Sequence, residues 1–169
     1  VLIHYMQGNQ AYKIVAGHVV MACYNAMIPH IVTDLPEQQA AALGQQMKSP
    51  LIYTTVGLRQ WRAFKEQGIG LAMSPGNMHQ TVFMDFPVSL GGYRYTQGPN
   101  DPCVIQMISC PYGAVLGRPR AEQYREARYQ MLGTPFSAYE EEVRSHLSGM
   151  LSSDSFDFDR DVASLTVNR

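Results

Sequence analysis

Lys48 is the residue whose place in the chain most invites chemistry. It stands at the end of an alanine-rich helical stretch and just before the strand Pro50-Leu51-Ile52-Tyr53-Thr54-Thr55-Val56. The same position also suits a lysine that only complements the negative end of a helix. His79 follows the loop residues Pro75-Gly76, where an imidazole can meet a substrate. The other histidines, His4, His18, His30 and His146, share no metal-ligand spacing on one element. Asp154, Asp157, Asp159 and Asp161 imitate a calcium loop, but counting from Asp157 puts Val162 where glycine belongs and Asn168 where the bidentate glutamate belongs. These acids read instead as turn residues and as negative charge at a helix start.

Several familiar chemistries are excluded by spacing. Gly68-Ile69-Gly70 lacks the third glycine of a dinucleotide loop and follows a helix rather than a strand. Gly91-Gly92 lacks the lysine of a phosphate loop. No serine sits in a G-x-S-x-G elbow, so no serine–histidine–acid arrangement is assigned. Cys23, Cys103 and Cys110 form no C-x-x-C pair, and their odd number argues against a complete disulfide framework. Asp85 lies in the apolar run Val82 to Phe86, on the face opposite Val82, Met84 and Phe86 if side chains alternate.

The elements that must hold these residues are legible from period and punctuation. Leu2 to Met6 and Tyr12 to Val15 read as strands joined through Gly8-Asn9, a hairpin signal. Val19 to Cys23 is apolar throughout and reads as a strand covered on both faces. Asp34 and Glu37 are spaced as a capping box, with a helix running to about Met47. Leu58 to Gln67 is a short helix or turn around Trp61, closed by Gly68. Ile69 to Met78 is a loop, Thr81 to Phe86 a strand, Gly91 to Pro102 a loop and Cys103 to Ser109 a strand. Arg120 to Leu132 is a helix, and Thr134-Pro135 opens another, with Thr134 as its cap. Phe136, Tyr139, Val143, Leu147, Met150 and Leu151 make one apolar stripe on it. Ser164 to Asn168 is a last strand. Strands and helices do not alternate regularly, which predicts an α+β fold: a mixed, largely antiparallel sheet with helices on one side.

Composition bounds the partners. The 169 residues suffice for one domain of ordinary size, and 46% of them are hydrophobic. Charged residues make up 16% of the chain, against about 25% in an average soluble domain. That deficit fits a piece that buries one face against something else. A net charge of −1 and the absence of like-charge runs exclude a nucleic-acid footprint. No segment has the roughly 18 consecutive apolar residues of a membrane span.

Four segments carry a resemblance: Val19-Val20-Met21-Ala22-Cys23-Tyr24-Asn25-Ala26-Met27-Ile28-Pro29; Leu51-Ile52-Tyr53-Thr54-Thr55-Val56-Gly57-Leu58-Arg59-Gln60-Trp61-Arg62-Ala63-Phe64; Asp85-Phe86-Pro87-Val88-Ser89-Leu90-Gly91; and Leu165-Thr166-Val167-Asn168-Arg169. Together they resemble bacterial flavin-containing amine oxidoreductases of the spermidine-dehydrogenase type, over nearly the whole chain. The resemblance implies a two-domain parent, in which one domain binds FAD and the other covers the isoalloxazine and shapes an amine pocket. It implies hydride removal from the carbon beside an amine nitrogen, followed by hydrolysis of the imine. The cofactor supplies the redox chemistry, the protein orientation and electrostatics.

By resemblance, Lys48 matches a lysine that reaches the flavin through water, and Tyr24 and Asn25 lie near the flavin where the chain crosses between domains. Tyr53, Trp61 and His79 become substrate contacts, with Tyr24 and Phe83 as further aromatic walls. Residues 1–23 fall to the edge of the FAD domain, 24–163 to the substrate domain, and 164–169 to a strand returning toward the FAD domain. The partners are a small amine and the remainder of the parent polypeptide. This sequence carries neither the glycine loop nor the closing flavin segment of the family, so it reads as an interior piece that does not hold FAD tightly alone. The resemblance leans toward a periplasmic location. Two alternatives stand beside it: a flavoenzyme with another substrate, such as an amino acid, and a non-catalytic α+β interaction module.

Overall fold

A computed structural model describes residues 1–112, 117–151 and 154–169. The chain divides into two compact units, Val1–Met47 and Lys48–Arg169.

The first unit opens with β1 (Leu2–Gln7) and β2 (Gln10–Val15), paired antiparallel from Leu2↔Val15 to Gln7↔Gln10. The two-residue turn between them begins at Gly8, whose φ of +60° suits glycine at the head of a tight hairpin. Tyr5 and Tyr12, directly opposite, stack with ring centroids 5.3 Å apart. A 3-10 turn (Asn25–Met27), α1 (Ile28–Ile31) and α2 (Glu37–Gly44) follow.

Two expectations fail in this unit. Val19 to Cys23 forms no strand, and Val20 is 89% exposed. Strand structure depends on a hydrogen-bonded neighbour as much as on apolar side chains, and no described strand pairs with this run. The Asp34–Glu37 capping box does not form either. Pro36 is the N-cap of α2, without a side-chain cap bond, and the helix ends at Gly44.

The second unit is a five-stranded sheet with helices. Its elements are β3 (Ile52–Leu58), α3 (Arg62–Glu66), β4 (Leu71–Met73), β5 (Thr81–Met84), β6 (Cys103–Ser109), α4 (Arg120–Gly133), α5 (Phe136–Met150), α6 (Phe158–Asp161) and β7 (Val162–Asn168). The sheet order is β4-β5-β6-β3-β7, and every pairing is antiparallel. The fold is therefore α+β, with a sheet that is antiparallel throughout. β4 arises inside a stretch whose Gly, Ser, Pro and Asn content predicts only a loop. Three residues are too few to show a period.

Alternation along β3 defines two faces. Ile52, Thr54, Val56 and Leu58 are buried, while Tyr53, Thr55 and Gly57 between them are half-buried. The buried face continues across register partners Met107, Ile105 and Val82. It packs against Val143 and Leu147 of α5, together with Leu151, Phe156 and Phe158. A second cluster joins Ile52 to Met131 of α4 and Tyr139 of α5. Of the apolar stripe read on α5, Tyr139, Val143, Leu147 and Leu151 are buried, whereas Phe136 stays exposed. Thr134 does not cap α5: Pro135 does, and the Thr134 hydroxyl donates back to the Gln130 carbonyl at 2.8 Å. Asp157 is a true N-cap, its side chain accepting from the Arg160 N–H at the start of α6. The opposite face of the sheet presents Tyr53, Thr55, Phe83, Gln106 and Ile108. The core clusters that hold α4 and α5 lie on the other side.

Candidate functional site

The open sheet face is built by strand alternation alone. Tyr53 pairs with Ile108, Thr55 with Gln106 and Phe83 with Gln106, so these side chains share one side of three adjacent strands. Phe86 leans on Phe83, with centroids 6.1 Å apart. The surface is aromatic and aliphatic with one polar centre. There, the Thr55 hydroxyl donates to Gln106 Oε1 at 2.9 Å. Gln106 is only 6% exposed. A buried carboxamide held by one neighbour is a defined hydrogen-bonding point in an apolar wall.

At one end of this face lies a cavity of about 450 Å³, whose lining includes Gly57, Tyr93, Arg94, Tyr95, Thr96 and Cys103. Trp61 borders it indirectly: its Nε1–H donates to the Thr96 hydroxyl at 2.8 Å, and its backbone N–H donates to the Pro99 carbonyl at 2.9 Å. Trp61 thus anchors the loop that lines the cavity. Burial pushes the Cys103 thiol up to about 11, with the Asp85 carboxylate adding to the rise. Cys103 is a protonated, unreactive wall residue.

On the helix-covered side lies a polar network. His79 is completely buried. Its Nε2 meets the Thr54 hydroxyl at 2.8 Å, its Nδ1 bonds Glu142 Oε2, and its backbone N–H donates to Glu142 Oε1 at 3.3 Å. His146, one turn further along α5, places Nδ1 3.5 Å from Glu142 Oε1, an ion-pair distance longer than a formed hydrogen bond. Burial by itself raises the Glu142 carboxyl, but His146 and the doubly bonded His79 outweigh it and hold it at about 2. Glu142 is therefore ionised at neutral pH and ties the β4–β5 connection to α5.

The residues singled out in the sequence are dispersed by this architecture. Tyr53 is on the open face near the start of β3, Trp61 lies beyond the far end of that strand, and His79 bonds Thr54 on the covered face. Lys48 is exposed, and its carbonyl accepts from Arg128 Nη2 at 2.6 Å. In the other unit Tyr24 is exposed, and the Asn25 side chain donates to Gln46 Oε1. Two residues escaped the sequence reading. Gln106 was signalled only as a lone amide in the apolar run Cys103 to Ile108, and Glu142 by its four-residue spacing from His146. Among the described residues no group of three His, Cys, Asp or Glu side chains could hold a metal ion. No described helix is long and apolar enough to cross a membrane.

No family model matches the chain, and no curated protein matches it. Solved structures do. A double mutant of putrescine oxidase, from a structure-based redesign of cofactor binding, matches with a TM-score of 0.58 at 12% identity, over 99% of this chain and 33% of that one. This chain thus spans about a third of the length of the protein it matches. At that identity the likeness establishes the fold alone: this α+β chain shares its architecture with part of a putrescine oxidase.

Proposed function

We propose that this chain is the substrate-domain portion of an FAD-dependent oxidoreductase that oxidises a small di- or polyamine, of the kind spermidine-type dehydrogenases use. The observation that carries this reading is the open sheet face: an aromatic and aliphatic wall with one fixed polar point, on a fold shared with a putrescine oxidase. Residues 24–163 make up the substrate domain, residues 1–23 the edge of the FAD domain, and 164–169 the return toward it.

The face fits a flat, largely apolar ring system opposite it, because its exposed atoms are those of Tyr53, Phe83 and Ile108 rather than charged groups. FAD, if bound opposite this face, would supply the acceptor for a hydride from the carbon beside the amine nitrogen. The chain's own residues do the rest. Tyr53 and Phe83 exclude water and pack the methylene chain. Gln106, held by Thr55, orients the amine nitrogen through its carboxamide. By resemblance alone, Lys48 would serve to hold a water for the cofactor, and Tyr24 and Asn25 would be cofactor contacts. Trp61 keeps the neighbouring loop in place. His79 acts from behind the sheet, by fixing Thr54 in β3 between Tyr53 and Thr55.

Substrate charge separates an amine from an amino acid. β3, β4, β5 and β6 contain no arginine or lysine, so a substrate carboxylate on their open face would lie unpaired there. Arg94, in the adjoining cavity, is the guanidinium that an amino acid substrate would need. The test compares diamines, polyamines and amino acids as substrates of the flavin-loaded protein carrying this chain, with and without Arg94→Ala. The reading expects diamine or polyamine turnover that survives the substitution. Turnover confined to amino acids and lost with Arg94→Ala would replace it.

A further inference from the structure

A groove of about 920 Å³ opens between the β4–β5 connection and α5, and its lining includes Ser74, Gly76, Asn77, Met78, Glu142 and His146. It lies at the edge of the helix-covered layer, away from the open face, and the amine chemistry makes no use of it. The Ser74 hydroxyl is 2.9 Å from His146 Nε2, and His146 Nδ1 faces Glu142 Oε1 at 3.5 Å. That buried nitrogen has no other partner. The electrostatically consistent tautomer puts the proton on Nδ1, beside the carboxylate, and leaves Nε2 free to accept from Ser74. The order hydroxyl, imidazole, carboxylate is that of a general-base-activated nucleophile.

The surroundings supply what such a nucleophile needs. Glu142 is fixed by two bonds from His79, so it cannot swing away from His146. Ser74 is set at the head of a turn by bonds from its N–H to the Gln80 carbonyl, 2.8 Å, and from the Asn77 N–H to its own carbonyl, 3.2 Å. Gly76 completes that turn at a φ of +95°, where other residues are strained. Gly76 and Asn77 also line the groove, and donors on this turn are the groups that would meet a developing oxyanion. The 3.5 Å gap at Nδ1 is of the kind that closes when substrate binds.

We propose that Ser74, His146 and Glu142 form an esterase site in this groove. Ser74 Oγ attacks the carbonyl carbon of an ester while its proton passes to His146 Nε2. The C–O bond to the alcohol then breaks, the leaving oxygen takes that proton, and an acyl-serine remains. A water molecule, deprotonated by His146, displaces the acyl group as a carboxylic acid and restores Ser74. Met78, Met150 and Ala138 give the groove apolar walls, and Glu141 stands with Glu142 on the same lining. The substrate class is therefore a short-chain ester whose alcohol portion is neutral or cationic, since an anionic one meets two carboxylates.

The experiment treats the chain with a fluorophosphonate probe and maps the adduct by peptide mass, alongside hydrolysis of 4-nitrophenyl acetate. The expected result is one adduct, on Ser74. Hydrolysis disappears with Ser74→Ala, falls about 100-fold or more with His146→Gln, and is retained with Ser145→Ala. Thermal melting of each variant checks that it is folded. The adduct map on the unaltered chain decides even if Ser74→Ala does not fold. Absence of an adduct, an adduct on another serine, or full hydrolysis by folded Ser74→Ala overturns the proposal.

Discussion

Glu142 and Asp161 carry the electrostatics of the second unit, and they do so in different ways. Glu142 joins two elements distant in sequence. Asp161, nearly inaccessible, binds the Arg160 guanidinium, the Asp157 N–H and the Gln60 side chain. Burial raises the Asp161 carboxyl, but those three partners outweigh it and bring it to about 2. Both groups thus have folded values near 2 against ordinary values of 4.5 and 3.8. A carboxyl lowered by folding stabilises the protein above its ordinary value, and that stability is lost as pH falls toward the folded value. Thermal melts should therefore decline from about pH 5 toward pH 2, and Glu142→Gln and Asp161→Asn should each flatten part of that slope. At neutral pH, Glu142→Gln should cost about 1.5–3 kcal/mol in urea denaturation, the worth of hydrogen bonds to a charged group. A slope unchanged in both variants would refute these assignments. Of the Glu142 network only the four-residue spacing to His146 was legible locally, because His79, its other partner, is 63 residues away. His79 could be seen to be unusual in its loop, but not that it faces inward.

Elements tell a different story, because their signals are local. The α5 stripe was legible since four of its members fall on one helical face and all four are buried. β3, β5 and β6 were legible as apolar runs between breakers. Val19 to Cys23 carried the same local signal and still formed no strand, since hydrogen-bonded partners are a tertiary property. β3 also contains a constraint that sequence does not show. A Cβ at Gly57 would lie 2.5 Å from Ser164 Oγ on β7, where the pairing register shifts. Gly57→Ala should destabilise by less than about 1 kcal/mol, because the exposed Ser164 hydroxyl has to turn away to make room. Ser164→Ala in the same background should recover part of that loss, because it removes the clashing oxygen. A double-mutant cycle in urea checks the coupling, and strictly additive losses would show that the β3–β7 contact is not the cause.

At the scale of the whole molecule, the sheet divides labour between its faces. One face makes the core with the helices; the other offers Tyr53, Phe83 and Gln106 to whatever lies opposite. In the proposed enzyme that partner is the flavin with an amine between. Tyr53→Ala in the flavin-loaded protein should raise KM for a diamine by about tenfold, as loss of a buried aromatic wall costs roughly 1–3 kcal/mol of binding. Turnover at saturation should change less. An unaltered KM would remove Tyr53 from the pocket. The fold is shared with part of a putrescine oxidase. Alternation assigned Tyr53 to a face, but which face the helices would cover followed only from tertiary packing.

The most direct measurement is anaerobic mixing of the flavin-loaded protein carrying this chain with a short diamine, following the visible absorbance of the flavin. The account predicts that the diamine bleaches the flavin, and that an amino acid of similar length does so much more slowly. A flavin that keeps its absorbance with every amine tried, or a purified protein that carries no flavin, would contradict it.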